Sequence, residues 1–238
     1  MPPTIVLVHG AFAESASFDG VVDRLSADGH RVIAAANPLR GLAADANSVS
    51  DLVRTIEGPV MLVAHSYGGA VISNVDADAG DITGLVYVNA FAPAQGETCF
   101  ALAGMFPGSM LGEATLRPVP RRDGTTDLSI VPDRFFELFC ADVPAWQAAR
   151  MAVSQRPVTQ EALVEPSGER PLWKELPSCF VIGKDDHIIP PALQRYMAER
   201  AGARRTLEIA GASHAATVSR PDAVAELILE VTGVPAAA

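Results

Sequence analysis

Val60-Met61-Leu62-Val63-Ala64-His65-Ser66-Tyr67-Gly68-Gly69-Ala70 changes character half way along. Its first five residues are continuously apolar, the signature of a strand buried on both faces, whereas Ala70 to Asp78 suit a helix. Ser66 therefore falls on a sharp strand-to-helix turn, with its hydroxyl lifted clear of the sheet at the positive end of the next helix. Side chains two residues to either side of such a serine collide unless they are small. Gly68 meets that need, and Ala64 departs from the usual glycine by one methyl group. Taken alone, Ser66 also suits an incidental residue of a buried turn; the strand-turn-helix context argues against that.

Similar short apolar runs recur at Ile5 to Val8, Val32 to Ala36, Leu85 to Val88, Phe180 to Ile182 and Leu207 to Ile209. Between them lie stripes of helical period: Phe18, Val21, Val22 and Leu25; Val49, Leu52, Val53 and Ile56; Val224, Leu227, Ile228 and Val231. Ser17 and Gly29 are expected to bound the first helix, Gly58 to end the second, and Ser219 with Pro221 and Asp222 to start the last. Alternating strands and helices imply right-handed crossovers, hence an α/β fold with a doubly wound, mainly parallel sheet.

The alternation stops between Pro93 and Leu176. That stretch is too long for an ordinary connection, and it carries Phe100, Met105, Phe106, Phe135, Phe136, Phe139, Trp146 and Met151. Helical pieces are expected near Asp133 to Cys140 and Val143 to Ser154, with a basic-polar loop around Arg121-Arg122-Asp123-Gly124. The expected organisation is a core domain of residues 1–92 and 177–238, with a helical lid of residues 93–176 inserted over the carboxyl edge of the sheet. Only the tail Pro235 to Ala238 reads as unstructured.

Composition limits the partners. The chain of 238 residues is 49% hydrophobic, enough for a sizeable core. With 18 Lys+Arg against 28 Asp+Glu the net charge is −10, which repels nucleic acid. No apolar run approaches the roughly 20 residues of a membrane span, and no secretory signal precedes the first strand. Cys99, Cys140 and Cys179 are widely spaced and offer no metal motif, so they read as free thiols of a cytoplasmic protein.

A serine is a poor nucleophile until a base, itself oriented by a carboxylate, removes its proton. His214 follows the strand ending at Ile209, and Asp185 and Asp186 follow the strand ending at Ile182. Together with Ser66 they occupy the carboxyl ends of parallel strands, where open α/β sheets build their sites. The chain order of serine, acid, histidine is the one expected there. His30, His65 and His187 lack this placement, and His65 is expected to point away from Ser66. An oxyanion needs two donors. The Tyr67 amide is one; the loop His9-Gly10-Ala11-Phe12 supplies the other, with Ala11 chosen and Phe12 the neighbouring alternative.

Val8-His9-Gly10-Ala11-Phe12, Ala64 to Gly69, Asp186 to Pro190 and Ala212-Ser213-His214-Ala215 together resemble the α/β-hydrolase superfamily over nearly the whole chain. More narrowly, the chain is similar to the small branch of plant methyl esterases, hydroxynitrile lyases and bacterial esterase-like proteins. The resemblance implies about six parallel strands, a Ser66, His214, Asp186 triad, Ala11 and Tyr67 amides as oxyanion hole, and no cofactor or metal. It favours Asp186 over Asp185. The lyases of the branch carry Thr after the strand-ending His and Lys after the catalytic His; here Gly10 and Ala215 stand there, which disfavours cyanide chemistry. Ser66 disfavours relatives with an Asp nucleophile. The expectation is a serine esterase acting on a small to medium apolar ester. Perhydrolysis, another non-hydrolytic use of the site, or ligand binding with little turnover stand as alternatives, and a homodimer is compatible with the sequence.

Overall fold

The computed structural model describes residues 1–233, so the expectation for Pro235 to Ala238 lies outside the described residues. In chain order the strands are β1 (Thr4–Val8), β2 (Val32–Ala35), β3 (Pro59–His65), β4 (Asp81–Val88), β5 (Leu116–Pro120), β6 (Thr126–Ile130), β7 (Val158–Thr159), β8 (Ser178–Gly183) and β9 (Arg205–Ile209). The α-helices are α1 (Asp19–Ala27), α2 (Leu42–Arg54), α3 (Tyr67–Ser73), α4 (Cys99–Ala103), α5 (Pro132–Phe139), α6 (Ala145–Ser154), α7 (Gln160–Val164), α8 (Pro191–Arg200), α9 (Ala216–Ser219) and α10 (Pro221–Thr232).

Six strands form one parallel sheet in the order β2-β1-β3-β4-β8-β9. This is the α/β-hydrolase fold. The near-continuous apolar runs of β1, β3 and β8 follow from burial on both faces. Successive side chains serve opposite cores: Ile5 and Leu7 pack with α1 and α10, Val6 and Val8 with α2 and α3. Edge strand β9 instead carries Arg205 and Glu208, which suit a strand open to water on one side. The chain leaves β1 toward β2 on one side and returns to β3 on the other. The crevice at that reversal is where such sheets hold their chemistry.

Three helix-boundary residues differ from expectation. Ser17 lies inside a 3-10 turn, Ser15–Phe18, and does not cap α1; its buried Oγ has no partner, while Asp19 supplies the favourable charge in the first turn. Gly58 does not terminate α2, which ends at Arg54 with Thr55 as its cap; Gly58, at φ +84°, makes the turn into β3. Gly29 follows α1 at φ +80° and Pro221 opens α10, as expected, whereas Ser219 is the last residue of α9 and Arg220 occupies the cap of α10.

Residues 93–176 contain α4, α5, α6 and α7, and also an antiparallel sheet in the order β5-β6-β7. Periodicity could not reveal that sheet. β5 reads Leu-Arg-Pro-Val-Pro and is largely exposed, as proline requires of an edge strand, and β7 is only two residues long. The basic loop at Arg121 to Gly124 is the β5–β6 hairpin turn. Leu128, Ile130, Phe135 and Phe139 share one apolar cluster with Leu62, Tyr67 and Phe180 of the body, so this segment has no separate core. It is pinned by Arg40 to Asp127 at 2.5 Å, by the Thr159 amide to Leu39 O at 3.1 Å, and by Glu165, which accepts the Leu42 amide of α2 at 2.5 Å. Among the described residues no helix is long and apolar enough to cross a membrane.

Helix α3 lies so close to the segment that follows β4 that only glycine fits at position 69, where a Cβ would fall inside the radius of Phe91 O and 2.8 Å from Ala90 Cβ. Gly69→Ala is expected to cost about 3 kcal/mol through forced separation of helix and strand, read as a lowered urea midpoint at unchanged m-value. A loss under about 0.5 kcal/mol would contradict this packing.

Candidate active site

Three loops at the carboxyl edge of the sheet meet at Ser66. The first is the turn after β3. Ser66 itself has φ +56° and ψ −126°, a conformation that costs a non-glycine residue on the order of 1–3 kcal/mol. The turn holds it there with three backbone bonds: the Ser66 amide donates to Val88 O at 3.3 Å, and Ser66 O accepts from Gly69 at 3.0 Å and Phe91 at 3.1 Å. The strain throws the side chain outward, and Ser66 Oγ lies 2.9 Å from His214 Nε2.

His214 Nδ1 lies 2.8 Å from Asp186 Oδ2. A carboxylate only accepts, so the imidazole proton resides on Nδ1 and Nε2 presents its lone pair to the serine hydroxyl. Asp186 Oδ1 accepts the amides of Ile188 at 2.8 Å and Ile189 at 2.9 Å, and Oδ2 also accepts Gln194 Nε2 at 2.8 Å. These donors let a carboxylate sit at 2% exposure. Asp185 is exposed and offers only its amide, to Ala212 O. The structure thus brings Ser66, His214 and Asp186 together and leaves Asp185 apart.

The loop after β1 lies against the serine turn. A Cβ on Gly10 would stand 2.5 Å from Ser66 Cβ and 3.0 Å from the Tyr67 nitrogen, so only glycine lets the two backbones approach. Among the described residues neither the Ala11 amide nor the Tyr67 amide donates to a backbone acceptor outside the regular elements. The Phe12 amide is engaged, donating to Arg156 O at 3.1 Å. The alternative at position 12 is thereby occupied.

Neighbouring residues fix these loops. His9 Nδ1 donates to Gly10 O at 3.0 Å, and its Nε2 accepts the Asn37 amide at 3.1 Å, a pattern that only neutral imidazole satisfies. Burial lowers its pKa to about 4. His65 Nε2 donates to the backbone O of His214 at 2.8 Å, with the two rings 4.7 Å apart. Burial, reinforced by the nearby His214, holds its pKa well below the usual value. His187 joins the acid loop to α5 through Glu137 O at 3.2 Å. Sequence reasoning does not single out Asn89. Its Oδ1 accepts the Gly183 amide and its Nδ2 donates to Ser213 O, both at 2.8 Å, so one side chain ties the acid loop to the histidine loop. Its place just after β4 is the signal that could have found it. The cysteines take no part: all three are buried and unpaired, and burial pushes Cys140 up to about 12.

Phe139 of α5 stands edge-on to the His214 ring at 4.9 Å. Ser66 is 4% exposed and His214 fully buried. A hollow of about 140 Å³ lies beside Phe12 and Ala13, bounded by Gln147 and Met151 of α6 and by Val218; a second, of about 390 Å³, lies at the opposite, amino edge of the sheet. Neither is lined by Ser66, His214 or Asp186.

The profile of the alpha/beta hydrolase family matches residues 5–227. A protein named pyrethroid hydrolase from Sphingobium wenxiniae is 30% identical over 250 residues, covering 98% of this chain and 88% of that protein. Putative methylesterase 19 of Arabidopsis thaliana is 24% identical over 95% of this chain and 96% of its own length. The crystal structure of polyneuridine aldehyde esterase superposes with a TM-score of 0.80 at 18% identity, over 98% of this chain and 100% of that one, a likeness of fold.

Two outcomes follow from the loop contacts. Asn89→Ala leaves a buried amide and a buried carbonyl unpaired and is expected to lower unfolding stability by about 3 kcal/mol, measured in urea; a loss below about 1 kcal/mol would contradict the tie. Protonation of His9 opposes folding: the unfolded chain takes up that proton near pH 6.5, the folded one only near 4. Stability should therefore fall as pH drops through this window, by on the order of 3 kcal/mol from His9 alone, and His9→Asn should flatten the fall. An unchanged slope in that variant would count against a neutral His9.

Proposed function

The chain belongs to the alpha/beta hydrolase family as a carboxylic ester hydrolase of that fold, and we propose that it cleaves small to medium apolar esters through an acyl-enzyme on Ser66. The observation that carries this reading is the relay Ser66 Oγ, His214 Nε2, His214 Nδ1, Asp186 Oδ2, with links of 2.9 and 2.8 Å. His214 takes the hydroxyl proton as Ser66 Oγ attacks the ester carbonyl. Asp186 stabilises the imidazolium, and the Ala11 and Tyr67 amides receive the oxyanion. The tetrahedral intermediate collapses when His214 returns that proton to the leaving alcohol. Water, deprotonated by the same nitrogen, then releases the acid and restores Ser66.

An apolar substrate suits the surroundings. Phe139 lies against the base, Phe12 follows the oxyanion donor, and Met151 and Val218 flank the hollow beside it. Among the relatives, one is named a pyrethroid hydrolase and another a methylesterase. In this reading residues 93–176 act as a cap whose α5 and α6 shift to admit the ester, since the serine and histidine are buried in the closed form.

A fluorophosphonate probe, mapped by peptide mass spectrometry, should modify Ser66 alone. Ser66→Ala should abolish labelling and reduce p-nitrophenyl ester turnover by at least about 10⁴-fold. Labelling of another side chain, or undiminished turnover in Ser66→Ala, would overturn the proposal.

A further inference from the structure

Helix α8 carries a polar side chain that the esterase cycle does not use. Gln194 is 1% exposed, and its Nε2 makes two bonds of 2.8 Å, to Asp186 Oδ2 and to Ile189 O. Both partners only accept. A flipped amide would set its oxygen against a carboxylate and a carbonyl, so the NH2 end is obliged to face them. The other end, Oε1, is buried with no partner. A buried amide oxygen left unpaired is unfavourable, and the arrangement tolerates it to keep both N–H groups on the acid loop.

Asp186 Oδ2 is also the oxygen that accepts His214 Nδ1–H, whereas Oδ1 is occupied by the Ile188 and Ile189 amides. We propose that Gln194 is a positioning residue that shares Asp186 Oδ2 with His214 and sets how strongly the carboxylate holds the imidazole. Its neutral N–H draws carboxylate charge toward α8, and its second bond, to Ile189 O, closes the acid loop around Asp186. Without it more negative charge faces Nδ1–H and the carboxylate loses one of its two restraints at Oδ2, so the protonated imidazole is favoured and the proton return to the leaving alcohol slows. The other titratable ring against His214 is His65, which burial keeps neutral; Asp185 points to solvent.

This inference rests on the esterase reading for its kinetic consequence, though not for its chemistry. Gln194→Met keeps the length and removes the donor. With p-nitrophenyl acetate its kcat should fall roughly 10- to 100-fold at little change in KM, and the acid limb of its pH–rate profile should move to higher pH. Gln194→Glu can donate to Asp186 only when protonated, so its kcat relative to that of Gln194→Met should rise as pH falls. A readout independent of turnover is the low-field Nδ1–H resonance of His214 in protein with ¹⁵N-labelled histidine, expected to move downfield in Gln194→Met. If that resonance stays in place in folded Gln194→Met, the proposal fails whatever the kinetics. If it moves while the wild-type protein turns over no ester, the proposal stands and the esterase reading fails. Should Gln194→Met and Gln194→Glu lose activity equally at every pH with the resonance unmoved, Gln194 is only a packing residue and the inference is overturned.

Discussion

The turn at Ser66 is the constraint on which the site depends. A non-glycine residue held at φ +56° stays there only because the surrounding backbone leaves no alternative. Val88 O, Gly69 and Phe91 bind its peptide groups, and the loop after β1 and the segment after β4 close in on the turn so tightly that positions 10 and 69 accept no side chain. The same crowding sets the loop after β1 directly against the serine turn, with a Gly10 Cβ position only 3.0 Å from the Tyr67 nitrogen. Packing of a parallel sheet against a short helix and the strained placement of Ser66 beside His214 are thus one structural fact.

Charge management around that turn is local. Asp186 is buried as a carboxylate because two backbone amides, one imidazole and one side-chain amide surround it. His9 and His65 are buried as neutral rings because burial penalises their charged forms, and each donates to a backbone carbonyl beside the site. Of the three buried histidines only His214 has a carboxylate partner, so a positive charge on a buried ring has one favoured location. Asn89 and Gln194 then lock the acid loop to its neighbours with neutral groups, adding no charge to the site.

Much of this site is legible in the amino-acid sequence. Ser66, Asp186 and His214 each stand within five residues of the carboxyl end of a parallel strand, and in a parallel sheet those positions converge on one edge whatever the intervening sequence. Asp185 and Asp186 are harder to separate because adjacent residues share every spacing argument; which carboxylate turns inward is decided by the amides of Ile188 and Ile189. The small sheet within residues 93–176 escapes periodicity because Pro118 and Pro120 occupy an exposed edge strand and β7 is two residues long. Gln194 leaves no trace either. A glutamine in an amphipathic helix reads as solvent-facing, and only the docking of α8 on the acid loop buries it.

The covalent step is the most direct point of test. Mixing the protein with p-nitrophenyl acetate, quenching in acid at intervals from milliseconds to seconds, and locating any added acetyl group by peptide mass spectrometry measures it. The account predicts p-nitrophenolate release in step with one acetyl group per chain on the peptide carrying Ser66, followed by its loss as acetate appears. Ester cleavage with no acetylated protein at any time, or acetylation confined to another side chain, would contradict it.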